Sequence, residues 1–286
     1  MEIIKADKIG FCFGVNNAVK KAIEELEMNH KLYCYGDIIH NKDAINKLAD
    51  MGMIIIDDLP ELKKANDAKV LIRSHGVPKI VIDFLSKYEI DYIDATCPKV
   101  KKIHKIVEDY SNDNYNIIII GDKNHPEVQG IIGWISDNVQ YLTANTFSEL
   151  QQLPLKNDEK YCLVAQTTFF HNIFDKMVEF LDKNSYTSIK VHNTICTATR
   201  DRQNSCREVA AISDLMLVIG GKKSSNTKKL YDLCKDKCEH TYLIENYKEI
   251  PYEFIKNKKL KVGIAAGAST PDWVIEEVII NVREHK

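Results

Sequence analysis

Three cysteines share a setting that suits metal chemistry. Cys12 lies in Gly10-Phe11-Cys12-Phe13-Gly14, Cys97 in Asp94-Ala95-Thr96-Cys97-Pro98 and Cys196 in Asn193-Thr194-Ile195-Cys196. They stand 85 and 99 residues apart, so no local zinc-ribbon spacing is present. Each closes a short β-rich run and opens a helical stretch. A thiolate at a helix N-terminus is favoured by the backbone N–H groups there, which makes it a better metal ligand. Gly10 and Gly14 allow close approach of the backbone, and Pro98 suits a first helical position. Three convergent thiolates suit a 4Fe–4S cluster, which normally takes four cysteines. With three, one iron stays open as a Lewis acid. The alternative is a closed zinc site with His75 or His125 as fourth ligand.

The other five cysteines read as structural. Cys34 and Cys162 fall inside strands and Cys206 inside a helix, where buried cysteine behaves as a small hydrophobe. Cys234 and Cys238 with His240 offer a peripheral metal site, but their helical spacing reads more simply as an ordinary helix face.

A set of hydrogen-bonding residues accompanies the three cysteines: His40, Asn41, His75, His125, Glu127, Thr167, Thr168, Ser224, Ser225, Asn226 and Ser269. With helix-start N–H groups they form a cradle for a phosphate-like anion rather than a cationic clamp. Neither a Walker A loop nor a Rossmann glycine fingerprint is present, so a small diphosphate fits better than a nucleotide. In His125-Pro126-Glu127 the proline can begin a helix and present both neighbours at its mouth, where Glu127 can act as a general acid. Taken singly, each Ser or Thr reads as an ordinary N-cap; taken as three matched sets beside three matched cysteines, they read as a site. His30, His104, His171, His192, His240 and His285 share no repeated position and are read as structural.

The elements that must position these residues alternate along the whole chain. β-rich runs at 3–6, 31–35, 53–56, 70–73, 91–93, 117–120, 141–143, 161–165, 189–192, 215–219, 242–244 and 261–265 are separated by amphipathic helices, the pattern of an α/β fold with parallel sheets. Val15, Ala18, Val19, Ala22, Ile23 and Leu26 mark one face of the first helix.

The strand ends repeat. One type runs into Gly36-Asp37, Gly121-Asp122 or Gly220-Gly221. A second runs into Ser74-His75-Gly76, Gln166-Thr167-Thr168 or Gly267-Ala268-Ser269. A third ends at Cys97 or Cys196. The sets recur in the same order, the mark of an internal repeat. The last repeat lacks its cysteine strand while the N-terminus has a spare one, so residues 1–13 are expected to complete it. The expected units are 14–96, 97–195 and 196–286, the last completed by 1–13, with small, mostly parallel sheets about a pseudo-threefold axis and one cysteine from each unit offered to the centre.

Composition narrows the function classes. Net charge is −2 with Lys and Arg scattered, which leaves no basic footprint for nucleic acid and no polybasic membrane patch. The start of the chain carries no apolar run of signal-peptide length, and no stretch reaches the ~20 apolar residues of a membrane span, so a cytoplasmic enzyme is expected. In a reducing compartment, spaced cysteines read as ligands more often than as disulfides.

The motifs resemble, almost from end to end, the 4-hydroxy-3-methylbut-2-enyl diphosphate reductase family. The pieces are Gly10-Phe11-Cys12-Phe13-Gly14-Val15, His40-Asn41, Ser74-His75-Gly76, Asp94-Ala95-Thr96-Cys97-Pro98, His125-Pro126-Glu127-Val128, Gln166-Thr167-Thr168, Thr194-Ile195-Cys196 with Arg202-Gln203, Ser224-Ser225-Asn226, and Ala266-Gly267-Ala268-Ser269-Thr270-Pro271. Thr227 stands where the family often has Ser.

The resemblance implies a trefoil of three α/β units around one central 4Fe–4S iron–sulfur cluster held by Cys12, Cys97 and Cys196, with the substrate hydroxyl at the open iron. It implies Glu127 as proton donor, with Thr167 hydrogen-bonding nearby, and His40, His75, His125, Ser224, Ser225, Asn226 and Ser269 around the diphosphate. It further implies a ferredoxin or flavodoxin as electron donor, and a monomer is expected. Two other functions share parts of this pattern. A non-redox dehydratase would use the open iron without an electron donor, and a sensor would carry a catalytically silent cluster.

Overall fold

The central strands are nearly uninterrupted runs of branched aliphatic residues, as a parallel sheet covered on both faces requires. In the computed structural model, which describes residues 1–65, 67–184, 188–256 and 259–284, they form twelve strands and eleven α-helices. The twelve strands match the sequence expectation to within one residue at either end.

In chain order, β1 (Glu2–Lys5) and α1 (Phe13–Asn29) come first. A first sheet follows: β2 (Leu32–Tyr35), α2 (Lys42–Asp50), β3 (Met53–Ile56), β4 (Val70–Ile72), α3 (Lys79–Lys87) and β5 (Tyr92–Asp94). After α4 (Pro98–Asn112), a second sheet is built from β6 (Asn116–Ile120), α5 (Pro126–Ile132), β7 (Tyr141–Ala144), α6 (Phe147–Gln151), β8 (Tyr161–Ala165), α7 (His171–Lys183) and β9 (Ile189–Val191). After α8 (Thr197–Ala210), the third contains β10 (Leu215–Ile219), α9 (Ser225–Lys235), β11 (Thr241–Ile244), α10 (Tyr252–Ile255) and β12 (Lys261–Ala266), and α11 (Asp272–Glu284) closes the chain.

The three sheets are four-stranded and parallel, with orders β3-β2-β4-β5, β7-β6-β8-β9 and β11-β10-β12-β1. The same winding thus occurs three times, and the fourth place of the last sheet is taken by β1, whose Glu2 to Lys5 register with Lys261 to Ile264. In each, the connections leave in opposite directions between the first and third strands. That reversal opens a crevice at the carboxyl ends, where α/β sheets bind ligands.

Burial follows the order. β8 and β10 are buried along their whole length and Ile117 to Ile120 of β6 are fully enclosed, whereas the edge strands β1, β5 and β9 are largely exposed or half-buried. Each enclosed isoleucine contributes roughly 1.5–3 kcal/mol relative to exposure. Leu217, Ile219 and Ile264 pack with Val274 and Val278 of α11, while Ile118 and Leu163 pack with Phe174 and Met177 of α7.

Two compact units result. Residues 17–38 and 49–196 carry the first two sheets; residues 1–16, 39–48 and 197–286 carry the third.

Candidate functional site

The three cysteines occupy equivalent places in their own sheets. Cys97 follows β5, caps α4 and donates its N–H to the Ser74 carbonyl at 3.0 Å. Cys196 follows β9, precedes α8 and donates to Thr167 at 3.0 Å; Cys12 follows β1, precedes α1 and donates to Ala268 at 3.1 Å. Each acceptor lies just beyond the third strand of the same sheet. The three side chains are half-exposed, whereas the other five cysteines are buried. Burial pushes the Cys34 and Cys162 thiols up to about 12, and Cys238 also upward. A hydrogen bond with Cys206, and then burial, raises Cys234. Those groups are held as thiols, unsuited to ligation at neutral pH. Three equivalent, accessible thiols at helix starts are the donor chemistry that an iron–sulfur cluster takes, so the residues present fit that group.

Glu127 is a buried carboxyl held at both oxygens in the unit bearing the first two sheets. It sits in the first turn of α5, 2% exposed, behind the N-cap His125, whose Nδ1 accepts the Glu127 N–H at 3.1 Å. Thr167, just beyond β8, donates its backbone N–H to Glu127 Oε1 at 2.6 Å and its hydroxyl to Oε2 at 2.7 Å. Beside it, Gln166 is fully buried and its Oε1 accepts the Asp122 N–H at 3.2 Å, while its Nε2 has no hydrogen-bond partner among the described residues. The His75 and His125 rings meet edge to face with centroids 5.5 Å apart. The structure therefore brings together Cys97, Cys196, His75, His125, Glu127 and Thr167 at the carboxyl ends of two sheets, with Thr168 half-buried alongside Thr167.

The second unit gathers the remaining residues at the ends of β10 and β12. Ser224 caps α9, accepting the Thr227 N–H at 3.3 Å. Ser225 and Asn226 form the first turn, and Asn226 is 5% exposed with an Nδ2 donor that finds no partner among the described residues. Ser269 is buried and donates to the His40 carbonyl at 3.4 Å. A Cβ at Gly221 would stand 2.2 Å from that same carbonyl, so only glycine permits the approach. Asn41 acts as the cap of α2, accepting the Ala44 N–H at 2.9 Å. A buried amide donor beside a helix N-terminus is suited to an anion.

The alternative of a peripheral metal site at Cys234, Cys238 and His240, less simple than an ordinary helix face, is not assembled. Cys234 Sγ turns to the Cys206 carbonyl and Cys238 Sγ to those of Ser213 and His240, while the His240 ring packs 4.3 Å from Phe254. Of the histidines read as structural, His285 lies outside the described residues.

The family profile for LytB protein matches residues 3–283. The chain belongs to the LytB family. Among its relatives, the 4-hydroxy-3-methylbut-2-enyl diphosphate reductase of Alkaliphilus oremlandii is 44% identical over 282 residues, covering 98% of both chains. That of Clostridium perfringens is 44% identical over 286 residues, 99% of this chain and 98% of the relative. Among solved structures, the E-1-hydroxy-2-methyl-but-2-enyl-4-diphosphate reductase from Plasmodium falciparum superposes with a TM-score of 0.88 at 27% identity, over 98% of this chain and 87% of that one. A second reductase structure, described as the terminal enzyme of the non-mevalonate pathway, is 38% identical with a TM-score of 0.69, over 99% of this chain and all of that one. The LytB fold of this chain is thus the three-sheet α/β architecture expected from its repeats. Among the described residues, no helix is long and apolar enough to cross a membrane.

Two buried polar residues of this LytB chain carry no role assigned from the sequence. Gln166 sits inside a recognised motif, but its hydrogen bond is to Asp122, 44 positions away. His104 lies on α4 in step with Val100, Ile103 and Val107 and is buried with them.

Proposed function

We propose that this chain reduces 4-hydroxy-3-methylbut-2-enyl diphosphate to isopentenyl diphosphate and dimethylallyl diphosphate, the last step of the methylerythritol phosphate route to isoprenoids. The observation that carries this reading is the match to the LytB family over residues 3–283, which includes every candidate site residue.

In this reading Cys12, Cys97 and Cys196 hold one 4Fe–4S cluster with an iron free of protein ligands. When bound, the cluster supplies electrons one at a time and a Lewis-acidic iron. The residues of the chain do the rest. His40, His75, His125, Ser224, Ser225, Asn226 and Ser269 bind the diphosphate, the buried Asn226 amide and the start of α9 supplying N–H donors without a full cationic charge. The reaction takes two electrons and two protons. One proton leaves with the hydroxyl as water, and the other forms a C–H bond at either end of the allylic system. Glu127, its carboxyl oriented by both donors of Thr167, delivers the proton to the departing hydroxyl. A ferredoxin or flavodoxin supplies the electrons to a cytoplasmic monomer, whose three units are 14–96, 97–195, and 196–286 with 1–13.

Turnover of the diphosphate under anaerobic conditions, with and without reductant, tests the reading. Reductant-dependent formation of both products is expected. Water loss without reductant would make the chain a dehydratase, and no turnover from cluster-replete protein would make it a sensor.

A further inference from the structure

His104 stands apart from the residues already assigned. It belongs to α4, seven residues beyond Cys97, and its imidazole is 5% exposed with Nε2 lacking any hydrogen-bond partner among the described residues. A buried ring nitrogen without a partner is costly, and an aliphatic side chain would fill the space without that cost. What the ring provides is a flat face and a thin edge. The face stacks on the Trp134 indole, with centroids 5.2 Å apart and planes inclined by 19°. The edge slides under two glycines: a Cβ at Gly76 would stand 2.6 Å from His104 Cε1, and one at Gly130 would stand 3.4 Å from Nε2. Gly76 also has φ +74°, a conformation that favours glycine.

These contacts tie two segments together. Trp134 donates its indole N–H to the Val77 carbonyl at 2.9 Å, and Lys79 donates its N–H to the Gly133 carbonyl at 3.2 Å. The loop that follows β4 and carries His75 is thereby fastened to the C-terminal end of α5, the helix that carries Glu127 behind its cap His125. Gly130 of that helix faces the His75 carbonyl as well, its Cβ position lying 3.6 Å from that oxygen.

We propose that the His104–Trp134 stack is a positioning clamp, which fixes the His75 loop against α5 and so sets the His75–His125 pair for binding the diphosphate. The assignment of that pair to the diphosphate rests on the functional reading above. The clamp itself rests on geometry within one compact unit.

The test uses two variants of the cluster-replete protein. His104→Ala removes the stack. Trp134→Phe keeps an aromatic face but loses the bond to Val77, and is the milder change should His104→Ala fail to fold. Crystal structures give the His75–His125 separation, iron analysis gives cluster content, and calorimetry with inorganic diphosphate gives affinity. In His104→Ala the two rings move apart from their 5.5 Å spacing, and affinity falls about tenfold, the usual consequence of a slackened supporting shell, with iron unchanged. Trp134→Phe falls between this and the wild type. Displaced rings in a protein whose wild type binds no diphosphate would sink the functional reading and leave the clamp standing. An unmoved pair in the folded variants, with wild-type affinity, overturns the clamp.

Discussion

Thr167 grips both oxygens of the Glu127 carboxyl, with its backbone N–H at 2.6 Å and its hydroxyl at 2.7 Å. The two residues are 40 positions apart: Glu127 lies in the first turn of α5, the helix after β6, and Thr167 just beyond β8, the neighbour of β6 in one sheet. A carboxyl held at both oxygens cannot rotate away from the site, which is the preorganisation a general acid needs. Glu127→Gln replaces the proton donor while keeping the shape. Turnover should fall by about 10²-fold or more with iron content unchanged. Thr167→Val removes only the hydroxyl bond and should cost less, roughly tenfold. Steady-state rates beside iron analysis of the same samples check both.

The cysteines should divide into two classes. Replacing Cys12, Cys97 or Cys196 with Ser should strip the iron from the protein. Cys34→Ala and Cys162→Ala should keep the iron and lower stability by about 1–2 kcal/mol, as loss of a small buried side chain does. Iron stoichiometry and urea midpoints separate the classes, and iron loss from Cys162→Ala would break the assignment.

Asn226 supplies a buried donor without a partner among the described residues. Asn226→Asp turns a donor into an acceptor and adds charge of the anion's own sign. Diphosphate affinity should drop by more than about tenfold, well beyond the loss in Asn226→Ala, because like charge adds to the lost hydrogen bond. Calorimetry with inorganic diphosphate gives the ranking.

Burial holds the His104 imidazole neutral, its pKa lowered to about 4 from 6.5 despite the pull of Asp94. The unfolded chain takes up this proton near 6.5 and the folded chain does not. The resulting stability is complete above pH 6.5 and drains away as pH falls toward 4, by up to about 3 kcal/mol. Urea unfolding between pH 7.5 and 4.5 should show a shallower acid slope in His104→Leu than in the wild type. Parallel slopes would contradict the buried neutral state.

Much of this was legible in the residues because it is local or periodic. Alternating apolar runs placed twelve strands, and the recurrence of Cys97 and Cys196 after such runs led to Cys12 and to an N-terminal strand that completes the third repeat, where the structure pairs it with β12. Side-chain partnerships between distant segments were not legible. Nothing in the spacing says that Thr167 reaches Glu127, or that His104, in step with Val100 and Ile103, stacks on Trp134. A histidine on an apolar helix face reads as core until its neighbour on another element is known. Asn41 is the opposite case: its oxygen accepts the N–H of Ala44, three residues on, a local cap of the kind that Asn before a helix makes.

The central claim is a reductase whose chemistry depends on three equivalent cysteines. Its most direct test is anaerobic turnover of 4-hydroxy-3-methylbut-2-enyl diphosphate with a chemical reductant, run beside iron, sulfide and zinc analysis of the same sample. The account predicts isopentenyl and dimethylallyl diphosphate from protein holding about four irons per chain. Zinc in place of iron, or a full cluster with no reductant-dependent product, would contradict it.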